Sequence, residues 1–550
     1  MENDDLIAIL EGVENVEQFI AISDEDSDLS DFEDPTTEES QNISAGEYSF
    51  QWSSEAFEIK NEPFDDFFSG ISPSMISSVS SELDIFLHYC NEAYVEKIVE
   101  FTNSYQQYVV RHIDIKLHSR LKNWYPVTVP EMYTFFAVCM LMTRNSRNTI
   151  EEHWSTNPYL HSGIYGSLMS RNRFCTILGM LHFCQPGPRT EEETILSKII
   201  YPVNHARQTF KNSFIPYEKI CIDESIVPFK GRLLIKQYLP KKRNRFGIEL
   251  FVLCDVLSGI ILDFIVYCGK DTELTHFDNL GASGSVVATL LEEYYGVNRK
   301  LYIDNWYSSP KLSIFLKQRS IHTCGTVKPN RSEMPKFKNL KKGDREALYS
   351  DPIMAMKWRD KKNIHMLTTI HKDEMGPTEK MDLMTGLPKL KPECIIDYNK
   401  NMGAVDACDM MLSGLQCIRK TIKWYKKLFF HILDLHLLNS YHIFKITCKD
   451  DFSPSFRKYQ LVLIEQLVQK YGEQSVHKTL PSTSRALEQP TRFLPGDGAR
   501  HMPSYVPKQK KLRCKLCARS KKRRTTRYMC AVCTVALCVI PCFQLYHKKK

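Results

Sequence analysis

The stretch Asn399-Lys-Asn-Met-Gly403-Ala-Val-Asp406-Ala-Cys-Asp409-Met410 places two aspartates three residues apart at the start of an apolar run. Residues three apart on a helix lie on one face, so Asp406 and Asp409 are expected to point the same way. Gly403 precedes them, and glycine allows the backbone to turn tightly before the helix. Carboxylates are costly to bury unless they are paired or bound to a metal, so this helix needs partners from elsewhere in the chain.

Two other aspartates also lie in apolar settings, in Cys221-Ile-Asp223-Glu-Ser225 and in Leu301-Tyr-Ile-Asp304-Asn-Trp306. Mg²⁺ takes oxygen ligands and keeps coordination positions open for phosphate groups. Two such ions, held by carboxylates from distant parts of a chain, can clamp a phosphate between them. We therefore expect Asp223, Asp304 and Asp406 to hold two Mg²⁺, and the rest of the chain to deliver DNA to them.

The composition is that of a large soluble protein. With 550 residues the chain is long enough for about three or four domains. The longest apolar stretch, Phe251 to Cys268, is interrupted by Asp255 and Asp263, so no membrane span is expected. The acidic N-terminus lacks the pattern of a signal peptide. The 18 cysteines are therefore expected as core thiols or metal ligands in a reducing, intracellular protein.

Charge is distributed unevenly along the chain. Residues 1–70 hold 21 acidic residues and one basic residue, whereas the remainder carries a net charge of +27. Residues 1–75 are also rich in Ser and Thr, which predicts an acidic, disordered tail that is either only solvating or a site of phosphorylation. Scattered lysines are usual on a solvated surface, but the clustering of bases near the C-terminus favours a polyanionic partner.

Residues 80–205 are rich in helix-forming patterns, with an apolar run from Met132 to Met142 that predicts a buried helix. A second helix is predicted around Phe174, with Arg171 and Arg173 in its first turn. These arginines are expected either to contact phosphate or to be plain surface residues. We interpret residues 80–205 as a helical domain for dimerisation and DNA binding.

The middle of the chain predicts a mixed sheet. Five strand-forming runs occur there, with helix-forming segments before the fourth and between the fourth and fifth, at residues 219–229, 246–256, 260–268, 299–304 and 320–326. This order predicts an α/β fold with an RNase H-like mixed sheet as its catalytic core. Asp223 then lies within the first strand, Asp304 at the end of the fourth, and Asp406 on a later helix.

The remaining boundaries follow from interruptions of this series. Residues 327–393 predict an insertion domain, which divides the core into residues 206–326 and 394–476. Residues 477–508 are rich in Pro, Ser and Gly and predict a linker to a cysteine-rich module at 509–550.

This module has the ligand spacing of a zinc site, at Cys514, Cys517, Cys530, Cys533, Cys538, Cys542 and His547. Two Cys-x₂-Cys pairs with a third cysteine and histidine group indicate Zn²⁺, against the alternative of free thiols. Two Zn²⁺ in a cross-braced module need eight ligands, so we expect the eighth from His501 or from water. The bases between the pairs predict a phosphate contact, a nuclear import signal or both: Lys521, Lys522, Arg523 and Arg524.

Taken together, these motifs resemble the piggyBac family of DNA transposases over residues 80–550. The ordered set comprises Ile222-Asp-Glu224 with Phe229-Lys-Gly-Arg232, Tyr238-Leu-Pro-Lys-Lys with Phe246-Gly247, Asp304-Asn-Trp306, Asp397-Tyr-Asn399, Gly403-Ala-Val-Asp406 with Asp409, Arg419-Lys-Thr421 with Trp424, Asn439-Ser440, and the cysteine module. The family's second glycine before the third aspartate is Ala404 here. The resemblance implies that Asp223, Asp304 and Asp406 are catalytic and that Asp409 assists them.

The resemblance also implies a metal-dependent transposase that excises DNA through hairpin-ended intermediates, inserts it at TTAA and acts as a homodimer joining two transposon ends. Its place of action would be the nucleus. Near the later helix, Arg419, Lys420, Lys423 and Trp424 are expected to contact DNA. The Trp424 ring suits stacking on an unpaired base, since aromatic rings accept any base, and core packing is its alternative role.

Two other functions compete with this interpretation. The first is a domesticated DNA-binding protein that keeps the fold without cleaving DNA. The second is a chromatin or protein-interaction factor built around the zinc module. Loss of an aspartate would favour either, and all of them are present.

Overall fold

The computed structural model describes residues 48–59, 62–76, 81–115, 119–187, 194–240, 245–277, 279–381, 386–417, 421–448, 454–475, 501, 503–506, 510–520, 522–531 and 533–547. The chain divides into two compact units, residues 1–477 and residues 478–550, which are taken separately below. The predicted acidic tail up to residue 47, most of the predicted linker, and Arg419, Lys420 and Lys521 lie outside the described residues.

The described strands of the larger unit are β1 (Gly70–Ile71), β2 (Phe214–Ile215), β3 (Lys219–Pro228), β4 (Lys236–Tyr238), β5 (Phe246–Asp255), β6 (Ile261–Val266), β7 (Arg299–Ile303), β8 (Ile321–Thr326), β9 (Arg345–Ser350), β10 (Ile353–Arg359), β11 (Asn363–Thr368), β12 (Met375–Met381) and β13 (Pro388–Pro392). Nine of them form one sheet. Eight lie in the order β4-β5-β3-β7-β8-β11-β10-β9, and the ninth, β6, pairs with the same edge of β5 as β4 does. The pairs β3–β7 and β7–β8 are parallel, and the other neighbours are antiparallel.

The helices of this unit are α1 (Pro73–Ile76), α2 (Glu82–Tyr89), α3 (Glu92–His112), α4 (Val129–Arg144), α5 (Gly163–Leu168), α6 (Arg171–Met180), α7 (Ile200–Ser213), α8 (Gly281–Leu291), α9 (Pro310–Lys317), α10 (Glu393–Asn401), α11 (Ala404–Leu412), α12 (Trp424–Thr447) and α13 (Phe456–Ser475). None of the helices in the described residues is both long and apolar enough to cross a membrane. Side chains of α4 and α12 are buried around most of their circumference, because α12 packs on α2 and α7 while α13 packs on α4.

The central strands confirm the predicted RNase H-like sheet. Strands β6, β5, β3, β7 and β8 lie side by side in that order, with the first three antiparallel and the last two parallel to β3. Every residue of β6 is buried, as expected for a strand covered on both faces. The helix expected before the fourth strand is α8, which runs from Gly281 to Leu291. The predicted α/β core with helices N-terminal to it is therefore confirmed.

The segment predicted as an insertion is continuous with this sheet. Met366 to Thr368 of β11 pair with β8, and β10 and β9 extend the sheet further. The predicted boundary after residue 205 falls within α7, and one hydrophobic core joins the N-terminal helices to the sheet. The domain boundaries at 205, 326 and 393 therefore stay a prediction, since the chain does not separate at these points into compact units of its own.

The smaller unit is a compact cysteine-rich module. Its described elements are β14 (Pro503–Tyr505), β15 (Leu512–Arg513), α14 (Lys515–Arg519), β16 (Thr525–Thr526), β17 (Tyr528–Cys530), a helical turn at Val539–Phe543 and α15 (Gln544–His547). Two short antiparallel pairs, β14–β17 and β15–β16, hold it together. Its apolar core is small and consists largely of cysteines around Leu537, so a unit of this size depends on additional cross-links for stability.

Candidate active site and zinc module

Asp223 of β3 and Asp304, the first residue after β7, lie next to each other in the sheet. The parallel register of β3 and β7 pairs Ile222 with Ile303, so the next residue of each strand is an aspartate. Paired strands are about 4.8 Å apart, which brings the two carboxylates to one place on the sheet. The backbone N–H of Trp306 donates to Asp304 Oδ1 at 2.8 Å, and this bond fixes the loop that follows β7.

Helix α11 lies against the same place. The hydroxyl of Ser225 donates to Asp409 Oδ1 at 2.7 Å, and the thiol of Cys221 lies against the backbone N–H groups of Ala404 and Val405. Cys221, Asp223 and Ser225 share one face of β3, since side chains alternate along a strand. The two contacts bracket Asp223 along β3 as they bracket Asp406 along α11.

The predicted pairing of Asp406 and Asp409 on one helix is therefore observed, and Asp409 faces the sheet. Residues three apart share a helix face, so Asp406 is expected on the same side of α11 as Asp409, and its side chain is exposed. The turn expected at Gly403 is observed at residues 402–403, between α10 and α11, but it does not require glycine. The Gly403 φ of −82° is open to any residue, and a Cβ added there would meet no atom within 4 Å.

The donor set fits divalent cations. Burial and the charges of Glu224, Asp223 and Asp304 raise the pKa of the Tyr307 phenol well above its usual value. Asp223 is only 8% exposed, Asp304 is half-buried and Asp406 is exposed. Dense negative charge on oxygen atoms, open to solvent on one side, is the chemistry that Mg²⁺ prefers. Asp223, Asp304 and Asp406 are thus the residues that would hold it.

A second polar network lies beneath α10 on the same face of the sheet. Asp397 accepts hydrogen bonds from Tyr302 at 2.6 Å, from Lys219 at 3.0 Å and from the amide of Asn401 at 2.8 Å, and His371 Nε2 lies 3.2 Å away. Burial alone would raise the pKa of Asp397, but hydrogen bonds from His371, Tyr302 and Lys219 outweigh it and hold the pKa well below the usual range. The network ties α10 to β3 and β7.

We expect Asp397→Asn to lower the stability of the larger unit by about 2 kcal/mol at pH 7, because hydrogen bonds to a charged group are lost. A carboxylate with a depressed folded-state pKa contributes stability that is present above its unfolded pKa of about 4 and is lost as pH falls below that value. The difference in unfolding free energy between wild type and variant, measured by thermal unfolding, should therefore become smaller below pH 4. A difference of constant size between pH 7 and pH 3 would contradict this role, and exposed Asp344→Asn serves as the control.

The start of α12 is cationic. Lys423 and Trp424 are both half-buried there, and the Trp424 ring packs partly against the main core and edge-on to Tyr425. Lys426 donates to the carbonyls of Leu178 and Gly179 at 2.7 Å each. Burial and nearby Lys423 lower the pKa of Lys426 to about 7. The start of a long helix is also a natural site for anions.

Sequence reasoning missed part of this cationic group. Burial and the charge of Lys230 lower the pKa of Lys427, so Lys230 from the loop after β3 lies close to the second turn of α12. Lys230 belongs to the motif that follows Asp223, which was the available signal. The two arginines expected at the start of α6 differ: Arg171 is exposed, but Arg173 is buried and donates to both carboxylate oxygens of Glu131. Arg173 is therefore not available to phosphate.

The cysteine module brings eight ligands into two groups of four. One group is Cys514, Cys517, Cys538 and Cys542, and the other is His501, Cys530, Cys533 and His547; the ligand atoms within each group lie within 4.8 Å of one another. All seven predicted ligands are used, and His501 supplies the eighth, with Nδ1 3.3 Å from Cys530 Sγ and 3.2 Å from Cys533 Sγ. The groups alternate along the chain, which is the predicted cross-brace.

Backbone N–H groups point at the sulfur atoms. Cys538 N lies 3.4 Å from Cys514 Sγ, and Cys533 N lies 3.4 Å from Cys530 Sγ. Burial alone would raise the pKa of Cys514, but hydrogen bonds from the backbone of Cys517 and Cys538 lower it to about 7. Such N–H···S bonds favour the thiolate form that Zn²⁺ requires. Of the four predicted bases, Lys522, Arg523 and Arg524 are exposed on the turn before β16.

The fold and the module define an RNase H-like protein with a C-terminal zinc finger. A family model described as "Transposase IS4" matches residues 81–441, and one described as "DDE_Tnp_1-like zinc finger" matches residues 497–548. With the relatives below, these matches show that the chain belongs to the piggyBac family of transposases.

Two human proteins illustrate the similarity. The chain is 23% identical over 501 residues to PiggyBac transposable element-derived protein 3 of Homo sapiens, covering 88% of this chain and 78% of that protein. It is 23% identical over 458 residues to PiggyBac transposable element-derived protein 2, covering 80% and 72%. Among solved structures, a piggyBac transposase synaptic complex with hairpin DNA shares the fold, with a TM-score of 0.65, 20% identity and coverage of 86% of this chain and 99% of that one.

Proposed function

We propose that this chain is a cut-and-paste DNA transposase that cleaves and rejoins DNA strands with the help of divalent metal ions. The observation that carries the proposal is the convergence of Asp223 and Asp304 on adjacent parallel strands with the helix that bears Asp406. Two of the carboxylates directly follow a residue pair shared by β3 and β7, and the helix that carries the third packs on β3 beside them. That arrangement suits phosphoryl transfer, in which positioning and charge stabilisation supply most of the catalysis.

Each aspartate has a distinct part in this proposal. Asp223, Asp304 and Asp406 would hold two Mg²⁺, which when bound activate water or a DNA 3′-hydroxyl and stabilise the attacking and leaving oxygens. Asp409 is already bound to Ser225, so its role is to hold α11 against β3 and thereby place Asp406. Buried Asp223 supplies the fixed part of the site, and exposed Asp406 faces incoming DNA.

The substrate is inferred from the family. Hairpin-ended excision intermediates and insertion at TTAA come to this chain from the piggyBac resemblance, and the solved relative is titled as a complex with hairpin DNA. Lys423 and Trp424 at the start of α12, with Arg419 and Lys420 just before them, would bind the DNA end. Lys230 and Lys427 extend this positive surface. Joining two transposon ends requires a homodimer, with the helices of residues 80–205 as its proposed site.

The cysteine module would bind two Zn²⁺ and carry a second DNA contact. Lys522, Arg523 and Arg524 are exposed and free of acidic neighbours in sequence, and neutralised phosphates would make binding fall steeply with salt. The same bases, with Lys521, resemble a nuclear import signal, so the nucleus is the proposed location.

The direct test is excision by the purified chain. DNA carrying the inverted repeats that flank the chain's own gene, bounded by TTAA, is incubated with Mg²⁺, and the products are separated on denaturing gels. The proposal expects released flanks and hairpin ends that migrate as twice the strand length after denaturation. Binding without any cleavage in Mg²⁺ or Mn²⁺ would reject the enzyme.

That negative result would instead favour a domesticated DNA-binding protein. The observation behind this second candidate is that the matched human relatives are named as transposable element-derived proteins. The two candidates share the fold and the zinc module, and they differ in whether the aspartates act on DNA.

Deleting residues 1–47 should tighten non-specific DNA binding by roughly tenfold at low salt, since this segment competes with DNA for basic surface. The segment holds 16 acidic residues and no Lys or Arg. Residues 48–59 should be retained, because Ser53 pairs with Tyr349 of β9 and the Trp52 indole donates to Glu333 O.

Fluorescence anisotropy across salt concentrations measures this effect. The control is a tail of equal length in which the acids are replaced by Asn and Gln, which should behave as the deletion does. Cleavage of DNA that is already bound should be unchanged. Overlapping binding curves at every salt concentration would leave the tail without an autoinhibitory role.

A further inference from the structure

The loop that follows β7 carries Asp304 and has little regular structure of its own. Ser308 N donates to Asp304 O at 3.2 Å, and Trp306 N donates to the Asp304 carboxylate. These bonds close the loop on itself, but they leave the carbonyls of Asn305, Trp306 and Ser308 without strand or helix partners among the described hydrogen bonds. A catalytic carboxylate on such a loop needs outside support to hold its position.

Arg331 supplies that support from the segment after β8. Its Nε donates to Ser308 O at 3.1 Å, and one terminal nitrogen donates to Asn305 O at 3.1 Å and to Trp306 O. One guanidinium group therefore binds three carbonyls within four residues of Asp304. A planar guanidinium presents its donors in a fixed fork, which a flexible lysine ammonium cannot reproduce.

The position of Arg331 relative to charge is consistent with this role. Burial lowers the pKa of Arg331, and the negative charge of Asp304 partly opposes that shift, so the two side chains are electrostatic neighbours. Arg331 is half-buried, whereas Lys328 in the same turn is exposed. Lys328 therefore presents its charge to solvent, whereas Arg331 directs its charge to the loop.

Arg331 is itself held by a packed turn. Arg331 N donates to Lys328 O at 3.1 Å, and Met334 N donates to Arg331 O at 3.2 Å. The Trp52 indole donates to Glu333 O at 2.8 Å. Met334 and Trp52 pack with Phe50 and Phe337 around a small apolar cluster under α9. The turn is thus fixed by contacts that do not involve the loop that carries Asp304.

We infer that Arg331 is a positioning residue for the metal site, which acts by clamping the loop that carries Asp304. The inference rests on the proposed function, because it assigns to Asp304 the role of a metal ligand. It extends that function to a residue of the segment between β8 and β9, which holds none of the aspartates. A plain phosphate contact by Arg331 is the competing role.

The test compares Arg331→Lys, Arg331→Gln and the matched control Lys328→Gln in the full chain. Binding of Mn²⁺ alone is measured by electron paramagnetic resonance, with Asp304→Asn defining loss of the site. The Mn²⁺ dependence of cleavage is measured with saturating DNA, and DNA affinity is measured in Ca²⁺. Thermal unfolding shows that each variant is folded.

We expect both Arg331 variants to need at least about tenfold more Mn²⁺ for binding and for half-maximal cleavage, as is typical when residues that orient metal ligands are removed. Their DNA affinity should stay within about twofold of wild type. Lys328→Gln should show normal Mn²⁺ dependence and weaker DNA binding at low salt. Trp52→Phe, which keeps the ring contact and loses the indole donor, should shift Mn²⁺ dependence in the same direction by a smaller factor.

Wild-type Mn²⁺ binding in Arg331→Lys would overturn the inference, with the proposed transposase function intact, since a retained charge would then be sufficient. If Mn²⁺ binding depends on Arg331 but the chain never cleaves DNA, the proposed function is overturned and the inference stands. An absence of Mn²⁺ binding in the wild type would reject both.

Discussion

Replacing Asp223, Asp304 or Asp406 by Asn should each reduce excision by at least about 10³-fold while DNA-end binding stays near normal. Asparagine keeps the volume of aspartate but removes the charge that holds a metal ion. When several residues act as one catalytic unit, an enzyme loses most of its activity if any one of them is removed. Asp223 and Asp304 directly follow the paired residues Ile222 and Ile303, so each is expected to supply its own ligand to the site.

The measurements are excision by denaturing gel and end binding by anisotropy for the same protein preparations. Asp271→Asn, at an exposed position outside the site, is the matched control and should be fully active. Cleavage by any of the three variants within about tenfold of wild type would reject the assignment of that aspartate. Loss of DNA binding together with cleavage would point to misfolding, which thermal unfolding detects.

Asp409 should behave differently because its carboxylate is already engaged. Its Oδ1 accepts the Ser225 hydroxyl at 2.7 Å, so Asp409→Ala removes an anchor of α11. Asp409→Asn keeps an amide oxygen that can still accept this hydrogen bond, so we expect a milder loss of excision than in the other three aspartate variants. Ser225→Ala and Asp409→Ala should lose excision to a similar extent because each removes the same hydrogen bond. A larger loss in Asp409→Ala would show that Asp409 also acts outside this contact.

The sequence was sufficient to predict the central mixed sheet because its signals are local. Apolar runs and turn residues set the five strands, and the position of each aspartate within its run set its place on the sheet. The contacts that bring the aspartates together were not predictable. Ser225 and Asp409 are 184 residues apart, and nothing in the sequence indicates that they form a hydrogen bond with each other.

The segment at 327–393 shows the limit of pattern reasoning. It was predicted as an insertion domain, but a strand pattern is the same whether a hairpin such as β10–β11 stands alone or joins an existing edge. Without this hairpin β8 would be the edge strand of the sheet, and its residues Cys324 to Thr326 pair with β11 there. Joining the edge satisfies backbone groups that would otherwise be unpaired, which is why the hairpin extends the sheet.

Arg173 shows the same limit for single residues. In sequence, a basic residue in the first turn of a helix is equally compatible with a plain surface position and with a phosphate contact. The structure instead places Glu131 beside it, with Arg173 Nε 2.7 Å from one carboxylate oxygen, and stacks Tyr125 and Trp124 against the guanidinium. Only the fold of α4 against α6 creates that pair.

Removing zinc should unfold residues 501–547 while the larger unit stays folded. Structural zinc contributes on the order of 10 kcal/mol in small modules, far more than the few buried apolar residues of this unit can supply. A chelator that removes zinc, or Cys514→Ser in the group of four cysteines, should therefore make the module sensitive to protease. The large unit has its own continuous core and should resist the same treatment.

The two metal groups should differ in what their loss does. Cys514, Cys517, Cys538 and Cys542 are mostly buried, whereas His501 of the other group is exposed and lies at the start of the module. We expect about two zincs per wild-type chain, and about one in His501→Ala, because a single lost ligand opens only its own site. Cys514→Ser should fall below one, since the second group's ligands Cys530 and Cys533 lie in sequence between the two halves of the first.

Metal content by mass spectrometry and proteolysis of the full chain test this order. Lys515→Ala, at an exposed position beside Cys514, is the control and should keep about two zincs if the ligand groups alone determine metal content. One zinc in the wild type would contradict the cross-brace, because four of the eight assembled ligands would then have no metal. Equal zinc content in His501→Ala and wild type would show that water, and not His501, supplies the eighth ligand. DNA binding should weaken with Cys514→Ser, since unfolding the module disperses the exposed bases at Lys522, Arg523 and Arg524.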